Sequence, residues 1–220
     1  MKKASGFTLI ELAIVLVIIG LLLGGVLKGQ ELINSAKAKN IANDFKNTQI
    51  LLYGYQDKYR ALPGDDGSVA MHVTGGTPAA AASRGNGRID GHWNSVAPAD
   101  ESYLFWQHVR LAGLATGSTQ VGTDAYIPRN ADGGRIGVQS LSGFNTIQDA
   151  ANPMVGTFVV CSEGITGRLA KQIDVLLDDG LTDNGTVRVA TTPAAVGAAG
   201  NSLANADVTD GGTFTVCMSF

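Results

Sequence analysis

The sequence predicts an α+β fold: a long N-terminal helix, transmembrane in its first half and amphipathic in its second, packed on an antiparallel β-sheet head. Three observations predict it. Residues 7–27 are apolar except for Thr8 and Glu11. Beyond them Ile41, Phe45, Thr48, Leu52, Tyr55 and Tyr59 recur at alternating spacings of four and three, the stripe of a helix that buries one face. The last third holds β-like runs near 155–161, 186–191 and 213–219, separated by Gly-rich stretches.

The first element is long enough to span a bilayer. As a helix, residues 7–27 reach about 31 Å, the thickness of a hydrocarbon core. Lys2 and Lys3 precede it, which keeps the extreme N-terminus cytoplasmic and exports the chain beyond Leu27. A secretory signal with cleavage near Ala36-Lys37-Ala38 is a poor fit, because the apolar run exceeds a signal's hydrophobic region and leads into a charged, helix-favouring stretch. Glu11 is the anomaly. An acid inside an apolar span needs a cationic partner. If the chain is cut between Gly6 and Phe7, the new amino group lies four residues before Glu11 on nearly the same helix face. In a stack of such helices an axially displaced neighbour offers its amine instead, which turns an insertion cost into a register device.

The string from Lys2 to Leu12, KKASGFTLIEL, followed by an unbroken apolar run, resembles the prepilin leader and cleavage motif of type IV pilins and type II secretion pseudopilins. The resemblance implies a leader at 1–6, a cut after Gly6, N-methylation of Phe7, and Glu11 as the acid that pairs with an adjacent subunit's N-terminus. It implies a type IV pilin-like fold and a structural role, not an enzyme. Its partners are then other copies of the chain in a helical filament, a prepilin peptidase that is also an N-methyltransferase, and a pilus or secretion assembly platform. Its location is the bacterial inner membrane as a single-pass precursor, then an extracellular or periplasmic filament. A pilus subunit is the leading expectation, with a secretion pseudopilin or minor pilin as alternatives. A membrane-anchored extracytoplasmic binding module is the rival from another class. Many major pilins carry proline where this chain has Lys28, so Gly20, Gly24 and Gly25 are the expected sites of any local unwinding.

Residues 28–62 continue the helix as its amphipathic half, and Leu62-Pro63-Gly64 is expected to end it. The head covers 63–220. Its first part, 63–100, is a Gly/Ala/Asn-rich stretch too long for a simple connector, the kind of loop that often carries function. Asp100–Leu114 reads as a short helix with acids at its start and glycine near its end. The combination of Leu62-Pro63-Gly64-Asp65, a Gly-Asn-Gly loop, Glu101-Ser102 through Phe105-Trp106 and Leu111-Ala112-Gly113-Leu114 is similar to a subset of pilin-like proteins. A further helix is expected at 167–177, with Leu169, Ile173 and Leu176 on one face.

Composition limits the chemistry. With 220 residues, 45% of them hydrophobic, the chain can bury one core. Its 16 basic and 19 acidic residues are scattered, with no Lys/Arg cluster beyond Lys2-Lys3, so a nucleic-acid footprint is missing. Cys161 and Cys217 are the two cysteines; in an exported chain they read as a disulfide, with two separate buried thiols as the alternative. His72, His92 and His108 stand in no metal-ligand spacing. Glu163, Asp174, Asp178 and Asp179 show no catalytic pattern. No cofactor is expected, with one exception worth testing: calcium at Asp178, Asp179, Asp183 and Asn184, whose oxygens lie on a Gly-rich loop. The competing account is that Asp and Asn before Gly are turn formers.

Overall fold

The computed structural model describes residues 8–123 and 125–220. The chain divides into two compact units, Met1–Ala36 and Lys37–Phe220. Helix α1, Leu9–Tyr59, supplies the described part of the first unit and opens the second. It runs unbroken through Gly20, Gly24 and Gly25. Within the second unit its buried residues are Ala38, Ile41, Ala42, Phe45, Thr48, Leu52 and Tyr55, the expected stripe, while Tyr59 at its end is only partly buried.

The helix stops earlier than Leu62-Pro63-Gly64. Arg60 takes a left-handed conformation, φ 56°, and its N–H bonds back to the Gln56 carbonyl, which closes the last turn before proline acts. Gly64 then serves a different purpose. It has φ +94°, and a Cβ there would collide with the Glu101 carbonyl, so glycine allows the chain to press against the next helix.

That contact begins a wrapped layer. A one-turn helix α2, Val69–His72, was not expected from sequence, being too short to show periodicity. Helix α3, Glu101–Leu111, is buried from Glu101 to Arg110, charges included. The surrounding loops bond Glu101, His108 and Arg110, though Glu101 Oε1 has no hydrogen-bond partner among the described residues. The Asp90 N–H donates to Glu101 Oε2 at 2.8 Å, and the Gly64 N–H donates to His108 Nδ1 at 2.9 Å while His108 Nε2 lies 2.9 Å from the Thr77 carbonyl. Arg110 Nη1 donates to the carbonyls of Ser118 and Tyr126. The long 63–100 stretch is therefore in part a sleeve around α3, with Ile89 and Trp93 in the core.

Among the described residues four strands form one antiparallel sheet: β1, Ile136–Ser140; β2, Phe158–Thr166; β3, Val187–Thr191; and β4, Thr213–Ser219. Their order is β1-β2-β4-β3, so the last strand sits inside the sheet rather than at its edge. Strand β1 was missed in the sequence, and β2 runs later and longer than the expected 155–161. Helix α4, Gly167–Leu177, follows β2 as predicted, but Leu176 is 47% exposed and the buried face is Leu169, Ala170 and Ile173.

The pleat sorts side chains into two layers. Val160, Val216 and Val189 join the cluster that includes Ile41, Phe45, Leu52 and Tyr55 of α1. Val159, Cys161, Ala190 and Cys217 join a second cluster, on Trp93, Ile147 and Met154. Cys161 and Cys217 face each other across β2 and β4 and are bonded, as a disulfide of sequence separation 56.

Candidate functional site

The first unit has little to pack against itself. From Leu9 at 89% to Leu21 at 73%, its large apolar side chains are exposed. A helix of this length and hydropathy can cross a membrane, and an apolar surface of this extent requires a lipid or protein partner. The run closes at Lys28, whose ammonium bonds Glu31 at 2.7 Å.

Glu11 is the acid within the run, and its local geometry is specific. Its Oε2 accepts from the Thr8 N–H and the Thr8 hydroxyl, each at 2.8 Å, while the Glu11 N–H donates to Thr8 Oγ1 at 3.3 Å. This is a reciprocal capping box. It satisfies donors at the helix start that have no partner inside the helix, which matters most where no water can substitute. Among the described residues Oε1 makes no hydrogen bond, so the carboxylate holds its own helix with one oxygen and keeps the other. Thr8 carried no expected role beyond being polar in an apolar run, although Thr8-Leu9-Ile10-Glu11 has the capping-box spacing. Gly6, Phe7, Lys2 and Lys3 lie outside the described residues.

Residues 1–27 match a family model described as the prokaryotic N-terminal methylation motif. This chain carries the prepilin signature of type IV pilins and pseudopilins. No curated protein and no solved structure matches it. The prepilin motif, the long apolar helix and the four-stranded antiparallel sheet together fit a membrane-anchored precursor of pilin-like α+β fold.

The other expected site lies on the loop after α4. Asp178 Oδ2 accepts from the N–H groups of Thr186 and Val187. Asp179 Oδ1 accepts from the Leu181 N–H and its Oδ2 from the Asn184 side chain, and Asn184 Oδ1 accepts from Asn152. These oxygens shape turns. Among the described residues no group of three or more His, Cys, Asp or Glu is placed to hold a metal ion. Asp174 is the unusual neighbour: it is fully buried, Oδ1 takes the Gly180 N–H, and Oδ2 has no hydrogen-bond partner among the described residues. Burial first, then the charges of Asp179, Asp178 and Asp183, push its carboxyl up to about 6. Of the carboxylates considered for catalysis, Glu163 is paired with Arg135 at 2.6 Å.

Proposed function

We propose that this prepilin is a structural subunit of a type IV pilus. A prepilin peptidase cuts between Gly6 and Phe7 and methylates the new amine, which keeps its charge. The precursor waits in the inner membrane with its head outside the cytoplasm. Extraction by an assembly platform then places residues 7–27 in the core of an extracellular filament, where apolar helices cover one another.

The observation that carries this reading is the half-used carboxylate of Glu11. A plain membrane anchor can use Glu11 only to cap its own helix start through Oε2, and has no use for a second, charged oxygen in apolar surroundings. A subunit gains register, because a neighbour's Phe7 amine is a partner of the right charge. The bonded cysteines at 161 and 217 favour a pilus subunit over a secretion pseudopilin, since a disulfide-bounded C-terminal region resembles that of pilins.

The test is replacement of Glu11 by Val, read in two fractions. The expected outcome is normal membrane insertion with loss from sheared filaments. Equal incorporation of Glu11→Val and wild type removes the register role of Glu11, and absence of the wild type itself from sheared filaments returns the chain to the class of single-pass binding modules.

A further inference from the structure

Where the last turn of α1 meets α2 and the Gly85–Gly87 loop, the Lys37–Phe220 unit opens a cleft of about 760 Å³. That is the size of a small-molecule site. Its two buried acids are held by hydrogen bonds from within the chain. Asp65 accepts the N–H groups of Gly85, Asn86 and Gly87. Buried Asp66 accepts from the Tyr55 hydroxyl at 2.7 Å and the Ser68 N–H at 2.9 Å, and lies 2.6 Å from His72 Nδ1. Arg60 is 3.6 Å from Asp57. Among the described lining residues the two buried acids are engaged by hydrogen bonds from the chain itself and Arg60 is the one arginine, so the cleft presents no cluster of cations or of free carboxylates.

What remains for a ligand is a set of directional, mostly neutral groups. Gln56, Arg60, Ser68 and Thr157, each with a hydrogen-bonding side chain, all line the cleft. The bond from Nδ1 to Asp66 leaves Nε2 of His72 available, on a side chain 28% exposed. Tyr53 adds an apolar ring. It is 44% exposed and is held edge-on by Phe220, with centroids 6.1 Å apart at 73°. A ligand with hydroxyls around its rim and a C–H face fits an aromatic ring beside hydrogen-bonding groups.

Arg60 marks the same place independently. Among the described residues it is the one non-glycine with positive φ, at a helix end where glycine is the unstrained choice. Keeping arginine there stores strain beside the cleft, a pattern found at ligand sites.

We propose that this cleft binds a neutral saccharide, its ring against Tyr53 and its hydroxyls on Arg60, Gln56 and His72. The site uses none of residues 7–27, so it stands or falls apart from filament assembly.

The test uses full-length protein in a detergent without a sugar headgroup. It is titrated with four neutral tetrasaccharides, of β-glucose, α-glucose, mannose and N-acetylglucosamine, and with tetragalacturonate as the acidic control. At least one neutral ligand is expected to bind, and Tyr53→Ala and Arg60→Gly each to weaken it by about tenfold or more. Arg60→Gly is expected to melt no lower than wild type, because glycine relieves the left-handed φ. Should Tyr53→Ala fail to fold, Arg60→Gly decides alone. The proposal is overturned if no neutral tetrasaccharide binds at about 10 mM, if both folded variants bind as wild type does, or if tetragalacturonate binds more tightly than every neutral ligand.

Discussion

Asp174 is a buried acid with one oxygen bonded and one left over, and its stability cost depends on pH in a defined direction. Its folded-state value, raised from 3.8 to about 6, means that the folded chain holds a proton that the unfolded chain releases between those limits. The group thus supports the fold below about pH 4, and that support is lost as pH rises through about 6. The linkage amounts to roughly 3 kcal/mol at neutral pH. Asp174→Asn removes the charge while keeping an oxygen for Gly180, but leaves an amide N–H unpaired, so a net gain of about 1–2 kcal/mol is expected at pH 8. Thermal melts at pH 4 and pH 8 check this: the two proteins should nearly coincide at the lower pH and separate at the higher. Glu11 is the residue-scale counterpart in the other unit. Its spacing from Gly6 and Phe7 was legible because an acid in an apolar run stands out, whereas its bond to Thr8 needed the helix start to be located first.

At the scale of elements, the amphipathic half of α1 rests on a few large side chains. Phe45 is fully buried among core residues of the sheet layer, and Phe45→Ala is expected to cost about 3–5 kcal/mol by combined transfer and cavity terms. Denaturant unfolding measures it. This helix was legible because six residues repeat with its period over nineteen positions. Helix α4 and the strands near 187 and 213 were legible for the same kind of reason. Strand β1 was not, since Ile136-Gly137-Val138-Gln139-Ser140 lacks a strand's composition. Gly137 is there because a Cβ would strike the Trp93 carbonyl, and Gln139 because its side chain takes the Trp93 N–H at 2.8 Å. Both are tertiary facts. The burial of Glu101, His108 and Arg110 was hidden likewise, as their partners are backbone groups supplied by distant loops.

For the whole molecule, the head depends on a covalent link as well as on its core. The Cys161–Cys217 bridge closes a loop that contains α4, β3 and the Gly/Ala-rich 192–212 segment. By loop-closure entropy, opening it is expected to remove about 4 kcal/mol; paired Cys161→Ala and Cys217→Ala substitutions, followed by denaturant titration, check that figure. The two units divide the labour. The second folds on its own sheet and disulfide, while the first presents an apolar helix with an acid near its start. The first unit carries the filament reading, and its processing is the point at which that reading is most exposed. Intact mass and N-terminal sequence, measured on the chain from a sheared surface-filament fraction, test it most directly. The expected species begins at Phe7 and carries one methyl group on its amine. A filament or membrane fraction holding only chain that still begins at Met1, with Lys2 and Lys3 attached, contradicts it.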